Sequence, residues 1–366
     1  MDVFQSHLVR QDGESVVMSS DPRLQPTPDY GTLGPGLDPP PTQISGCSDS
    51  DPRPSSGFRL LHFVVVMAGI GLAVAVSSAG GMATVWGKLT PQSSFNKDFE
   101  AASALSLDRD LDRQKPQKQA ELLLERAMTR SDGGSDRVEA QIESRVDAWR
   151  GKLEWDSQLG QLTTAALNSN DRRVRDSAVE VQLAAYGLPK NESTVDALVR
   201  QAGSSDHRQK IWAFWSLGLL GNRGIETDRI VEVLGEHLKN FDGVAGKAVP
   251  KKQEKEQEED ARRWAVEGLA LVGTTPTITP LLAAMHDDPS PLVRERAACS
   301  LAESGMLSHD QRLIAVPQLI NYSDDPALDP QTHAWAFQAL SDITHQRLPN
   351  DSAAWRNWYQ NNTANN

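Results

Sequence analysis

Residues 287–305, DDPSPLVRERAACSLAESG, begin with acids and prolines, turn basic at Arg294 and continue with small and apolar residues to Gly305. Ala297, Leu301 and Gly305 follow one another at four-residue spacing, so they share one stripe of a helix. The small residue allows a neighbouring helix to approach closely, and the glycine is typical of a helix end. The stretch therefore predicts a packing helix that is entered from an acidic, proline-containing turn.

The same order of basic residue, alanine, leucine and glycine recurs with the same spacing in 210–221, KIWAFWSLGLLG, and in 262–273, RRWAVEGLALVG. Weaker copies occur at 333–344, HAWAFQALSDIT, and at 174–187, VRDSAVEVQLAAYG. A second amphipathic segment precedes each copy, beginning in turn at Leu159, Val195, Ile225, Ile278 and Leu313. Helix pairs that recur every ~30–50 residues are typical of solenoids. We predict an all-α fold, an α-solenoid of about five helical hairpins over residues 155–348.

One interval between copies is longer than the others because of a polar stretch at 239–260. We predict that it is an insertion, a loop in which KKQEKEQEED is a solvated linker or a short charged helix.

A proline-containing turn followed by VRERAACSLAESG resembles a HEAT repeat, in particular the short HEAT-like form associated with phycobilisome lyases. The resemblance covers 155–348, and the fourth unit is the closest to the family pattern. Residues 88–154 are predicted to be a linker followed by N-terminal capping helices. Residues 349–366 are predicted to be a C-terminal capping helix and tail, with Trp355, Trp358 and Tyr359 packed inward.

The N-terminal part of the chain has a different composition. Residues 1–58 are rich in proline, glycine and serine, and they predict a disordered tail, with a proline-rich ligand for a partner domain as the alternative. Residues 60–87 contain no Asp, Glu, Lys or Arg. As a helix at about 1.5 Å per residue they exceed the roughly 30 Å hydrocarbon core, which predicts one transmembrane helix.

Two alternatives remain for residues 60–87, a cleaved secretory signal and a buried core helix. The basic residues flanking this segment are balanced, so the positive-inside rule says little. A short leading tail and a large trailing domain favour a single-pass membrane protein with the tail in the cytoplasm and the repeats on the opposite side.

The residue before the key alanine is Trp212, Trp264, Arg296 or Trp335 in four units. One step is about 100° around a helix, so these residues leave the packing stripe together. They are candidates for a ladder that binds a protein partner on the concave face, which the resemblance implies, or else they fill the space between repeats. The resemblance also implies that the recurrent basic residues pair with acidic turns of neighbouring units.

The chain carries a formal net charge of −12 and shows no metal-binding or catalytic motif. We therefore expect no nucleic-acid partner, no cofactor, no metal and no catalytic residue. The leading interpretation is a non-catalytic scaffold anchored in the lipid bilayer by 60–87. The alternatives are a chromophore lyase or chaperone-like HEAT protein, suggested by resemblance alone, and a structural subunit of a membrane complex. The oligomeric state stays open.

Overall fold

The structure is a computed structural model, and it describes residues 111–129, 134–239, 252–303 and 305–363. It also describes the backbone of two short strands, β1 at Leu8–Val9 and β2 at Ser15–Val16, which pair antiparallel with Leu8 opposite Val16. The rest of the predicted tail over 1–58 lies outside the described residues, as does the whole of the predicted span at 60–87. Among the helices that are described, none is long and apolar enough to cross a membrane.

The helices follow one another along the chain with short turns between them. In order they are α1 Pro116–Thr129, α2 Gly134–Trp149, α3 Ser157–Leu167, α4 Arg172–Ala185, α5 Glu192–Ala202, α6 His207–Asn222, α7 Thr227–Lys239, α8 Lys252–Val272, α9 Ile278–Asp287, α10 Pro291–Ala302, α11 His309–Leu313, α12 Val316–Tyr322, α13 Pro330–Thr344 and α14 Ser352–Thr363. A 3-10 turn at Thr275–Thr277 precedes α9. Apart from the two-residue strands, the described chain is all-helical, which confirms the predicted fold class at this level.

The helices pack as stacked hairpins. The five predicted pairs, α3–α4, α5–α6, α7–α8, α9–α10 and α12–α13, each contact each other directly. Their second helices also contact one another in order, so that α4, α6, α8, α10 and α13 form a continuous layer, which we name the second-helix layer. An array in which each hairpin contacts only its neighbours is the arrangement of an α-solenoid.

Acidic residues in the turns begin several of these helices. Asp156, Asp171, Asp206 and Asp329 have extended backbone, and each accepts hydrogen bonds from backbone N–H groups in the first turn of the helix that follows. These bonds satisfy donors that the helix itself leaves unpaired. The acids of three repeated turns, Asp171, Asp206 and Asp329, are therefore explained locally as N-caps, whereas before α10 the N-cap is Ser290, whose N–H donates to Asp288.

The predicted insertion at 239–260 differs from the structure at both ends. Lys239 is the last residue of α7, and α8 already begins at Lys252. Residues 252–260 are rich in Glu, Gln and Lys and lack glycine and proline, so the packing helix extends backwards through them. The connection between the two helices is limited to 240–251.

The two ends of the array are helical. At the N-terminal end α1 and α2 pack together, with α1 against α3 and α2 against α4, so this pair continues both layers as a further hairpin. At the C-terminal end α14 packs on α12, and Trp355 is buried with its indole N–H donating to the Pro349 carbonyl at 3.1 Å. Trp358 and Tyr359 are half-buried against the same core.

The glycine of the repeated motif has two different structural roles. Gly273 and Gly305 follow α8 and α10 with φ of 60° and 86°, in the left-handed conformation that ends a helix. Gly221, in contrast, lies inside α6, where an added Cβ would meet Val272 at 2.9 Å. The prediction that the motif glycine ends the helix is wrong at this position, because close packing against α8 also requires a residue without a side chain.

Candidate functional site

The structure places Trp212 and Trp264 in the core, with 5% and 6% of their surface exposed. The ring of Trp212 lies 5.1 Å from that of Tyr186 and 5.3 Å from that of Trp215. Trp155 extends this aromatic cluster from the other side of Tyr186, at 5.0 Å. Of the two explanations open for these tryptophans, packing between repeats is the one that fits their burial.

Arg296 is engaged by a buried acid from the neighbouring second helix. Its Nε and Nη2 atoms lie 2.5 and 2.6 Å from the two carboxylate oxygens of Glu267, whose side chain is 4% exposed. Burial raises the pKa of Glu267 above its ordinary value, and the charge of Arg296 opposes that shift. The guanidinium thus links α8 to α10 rather than facing solvent.

Trp335 differs from the other three candidates because it lies half-buried beside an exposed strip of α13. Gln331, Ala334 and Gln338 are all exposed and follow one another at spacings of three and four residues, so they lie on one helix face. We name Gln331, Ala334, Trp335 and Gln338 the α13 strip. Of the three tryptophans of the predicted ladder, Trp335 is therefore the one whose side chain is half-buried rather than buried, and partner binding by the ladder stays a prediction.

The recurrent basic residues pair across neighbouring hairpins from the second unit onwards. Lys210 lies 2.8 Å from Glu258, Arg262 lies 2.8 Å from the fully buried Asp288, and Arg294 lies 2.8 Å from Asp329. In the first unit Arg175 instead donates to the carbonyl of Ser169, within its own hairpin. The ladder that the resemblance implied is present in three of the joints and is replaced in the first.

A buried charge cluster joins the first and second hairpins, and the sequence analysis missed it. The fully buried carboxylate of Glu180 on α4 accepts from Lys190 at 2.9 and 3.0 Å and from Nε of Arg223 at 2.6 Å. Arg223 also lies 3.7 Å from Asp176. Burial raises the pKa of Asp176, and the Arg223 charge opposes this shift. The available signal was an acid between two valines, Val179 and Val181, in the middle of α4.

Arg312 is a second buried cation outside the repeated pattern. Its guanidinium donates to the carbonyls of Leu301, Glu303, Gly305 and Leu307 at 3.1 to 3.3 Å. These carbonyls lie at and just beyond the C-terminal end of α10, where a cation is favoured. Burial lowers the pKa of Arg312 to about 10, so the residue remains charged while it fixes this turn.

Within the described ranges, no group of three or more His, Cys, Asp and Glu side chains is arranged to hold a metal ion. The charged side chains of Glu180, Glu267 and Arg312 each contact oppositely charged groups or carbonyls of a neighbouring segment of the chain. Their arrangement stabilises the array, and it leaves the α13 strip as the candidate functional surface.

Comparison with known proteins supports the repeat assignment over one short segment. The family model described as PBS lyase HEAT-like repeat matches residues 261–287. This segment runs from the second half of α8 to the end of α9, so it joins the second helix of one hairpin to the first helix of the next. The match includes the first helix of the fourth unit, which we expected to be closest to the family pattern, and it ends at Asp287, before the second helix of that unit begins.

A search among curated proteins finds no match for the chain. Among solved structures, the crystal structure of an engineered protein from the Northeast Structural Genomics Consortium is similar at 17% identity and a TM-score of 0.27, covering 62% of this chain and 96% of that chain. The chain thus contains a segment similar to a PBS lyase HEAT-like repeat, set within an all-helical array of stacked hairpins.

Proposed function

We propose that the chain is a non-catalytic repeat scaffold that binds a protein partner and is held at a membrane by residues 60–87. Stacked helical hairpins present an extended surface, which is the usual way in which repeat arrays bind other proteins. The HEAT-like match at 261–287 supports a repeat scaffold in general terms. The α13 strip is the observation that carries the proposal of a partner site.

The chemistry of the α13 strip suits a protein partner. A half-buried indole offers an apolar surface, and the exposed amides of Gln331 and Gln338 stand on either side of it. Tryptophan is one of the residues that contribute most to protein interfaces, and a surrounding polar rim excludes water. α13 is also the last second helix of the described array, so no further hairpin covers its outer side. We propose that Trp335 inserts beside an apolar side chain of the partner, in place of the full ladder of Trp212, Trp264, Arg296 and Trp335.

Crosslinking from the strip tests this proposal. A photo-reactive residue at 338 in the full chain should capture one recurrent partner, and the same probe at the exposed Glu232 on α7 serves as the control for random collisions. With the captured partner purified, Trp335→Ala should weaken binding at least about tenfold, as expected for an interface hot spot. An affinity unchanged by Trp335→Ala, or the same proteins captured from both probe positions, would exclude the strip as the docking surface.

Membrane attachment through 60–87 has its own test. We expect the full chain to remain in the membrane pellet after extraction at alkaline pH, because a segment without charged side chains partitions into hydrocarbon. Deletion of 60–87 should release the repeats into the supernatant with unchanged helicity. Release of the intact chain would contradict the anchor. Protease protection in sealed vesicles then tests our placement of the tail in the cytoplasm and the repeats on the opposite side.

A chromophore lyase or chaperone-like role is the second candidate, and the description of the matching family is the observation that favours it. It predicts that the purified chain carries or transfers a pigment. Visible absorption that copurifies with the protein, or that appears after incubation with a free chromophore and an acceptor protein, would favour the lyase over the scaffold.

A further inference from the structure

The joint between the fourth and fifth hairpins carries titratable groups at two places. We name the contacts of α9 and α10 with α12 and α13 the C-terminal joint. At the first place, His286 near the end of α9 faces Asp325 in the turn between α12 and α13. At the second, Asp342 on α13 stands near Glu303 at the end of α10. Both places lie between elements of different hairpins, so a change of charge acts on the joint itself.

His286 is held between two carboxylates. Its Nδ1 lies 2.5 Å from an oxygen of Asp287, and its Nε2 lies 3.2 Å from an oxygen of Asp325. A neutral imidazole has one N–H and cannot donate to ionised carboxylates from both nitrogens, whereas the imidazolium donates from both. The geometry is therefore that of a charged histidine bridging α9 to the turn before α13.

Two other aromatic side chains, Tyr322 and His333, lie at this site, but the bridge between the two carboxylates is made by His286. The ring of Tyr322 stacks on the imidazole with centroids 4.8 Å apart, and Nε2 of His333 contacts the Asp325 carbonyl at 2.8 Å. Burial lowers the pKa of His286, but its hydrogen bonds to Asp287 and Asp325 raise it by more, so the pKa lies above its ordinary value. The Arg294–Asp329 pair crosses the same joint.

At the second place, deprotonation of Asp342 also weakens the C-terminal joint as pH rises. Burial and the negative charge of Glu303 raise the pKa of Asp342 to about 6, while His345 opposes the shift. The ring of His309 stacks on that of His345 at 5.6 Å. As pH rises, Asp342 gains a negative charge in a half-buried position beside Glu303, which disfavours the packed joint.

We propose that the C-terminal joint is a pH-responsive hinge, tight when the His286 imidazolium bridges Asp287 and Asp325 and looser when His286 has lost its proton. The sign follows from linkage, since a group whose pKa is raised in the fold stabilises it below the unfolded pKa, and that stability is lost as pH rises through the folded pKa. This device goes beyond partner binding, because it controls how firmly the hairpin carrying the α13 strip is attached to the rest of the array.

Hydrogen exchange of the full chain tests the hinge. After correction for the intrinsic rates, protection of α12 and α13 should fall at least about threefold between about pH 5.5 and about pH 8, relative to α4 and α6. His286→Gln, which cannot titrate or donate to both carboxylates, should lower protection at the acidic end and flatten the pH dependence that remains. Asp342→Asn should flatten it further. His207→Gln, at the joint of α6 and α8 where one carboxylate contacts the ring, is the matched control and should leave the dependence unchanged.

Two results would overturn the hinge. One is a pH dependence in α12 and α13 that does not exceed that of α4 and α6 in the unmodified chain. The other is a full pH dependence that survives in His286→Gln. An NMR titration of the imidazole in the unmodified chain provides a readout independent of any variant, and a His286 pKa at or below that of an exposed histidine would also refute the proposal.

Discussion

Glu180→Ala should destabilise the described array by about 3–5 kcal/mol, because it removes the shared acid from a buried charge cluster. Glu180 is fully buried and accepts from Lys190 and from Arg223, which comes from the end of the next second helix. Without that carboxylate, two cations remain in a partly desolvated place, where Asp176 and the more exposed Glu143 each lie 3.7 Å from Arg223. We would measure urea unfolding by the fluorescence of Trp155, Trp212 and Trp215, which lie in the aromatic cluster of the same region.

The matched control is an exposed pair between neighbouring hairpins. Asp196 and Arg229 are joined at 2.7 Å, and their side chains are 48% and 42% exposed. Because water screens such a pair, Asp196→Ala should cost less than about 1 kcal/mol. Equal and small losses from both variants would show that Glu180 is not held in a buried ion pair, whereas the expected difference assigns the stability of the joint between the first and second hairpins to this cluster.

The helical hairpins could be predicted from sequence because their signals are local. The spacing of Ala297, Leu301 and Gly305 and the acid in each turn act within one helix and its cap. The same reasoning placed five hairpins, and each is present in the structure. The predicted helix boundaries differ from those of the structure where the local signals were weak. At 252–260, for example, charged residues with good helix propensity continue α8.

Whether the tryptophans are buried or exposed depends on the distances between helices. No local sequence pattern contains these distances. An added Cβ at Gly218 would lie 2.7 Å from the Gly268 carbonyl oxygen, so α6 and α8 pack with their backbones in contact. Helices that approach this closely enclose side chains that would otherwise face outwards, and Trp212 and Trp264 are among those enclosed. Trp335 stays partly exposed because no further second helix packs against α13 among the described residues.

The partners in the buried ion pairs could not be predicted from the sequence either, because they too depend on contacts between different hairpins. Glu180 and Arg223 lie 43 residues apart in the sequence, and Glu267 and Arg296 lie 29 residues apart. An acid at such a position is recognisable as unusual, but its partner is set by how successive hairpins stack. The recurrent basic residues were easier to interpret, since the family resemblance implied pairing between units, and three of the joints have it.

Gly273→Ala should cost about 2–5 kcal/mol, the sum of a backbone penalty and an overpacking penalty. Gly273 has a φ of 60°, and for a residue with a side chain this left-handed conformation costs about 1–2 kcal/mol. An added Cβ would also stand 2.7 Å from the carbonyl carbon and 2.8 Å from Cα of Met306. These are backbone atoms, and they are held in place because the Met306 N–H donates to the Ala270 carbonyl at 2.8 Å. The clash can be relieved only by moving the turn after α10 away from α8.

The variant Gly224→Ala allows the two penalties to be measured separately. Gly224 follows α6 in the same way that Gly273 follows α8. It has a φ of 79°, but an added Cβ would meet nothing within 4 Å. Gly224→Ala should therefore lower the free energy of unfolding only by the cost of the left-handed backbone, about 1–2 kcal/mol. The difference between the two variants in the free energy of unfolding measures the close approach of Met306 to the end of α8. If both alanine variants lose the same stability, the turn after α10 is not packed against Gly273, and the contact between these two hairpins is looser than the structure has it.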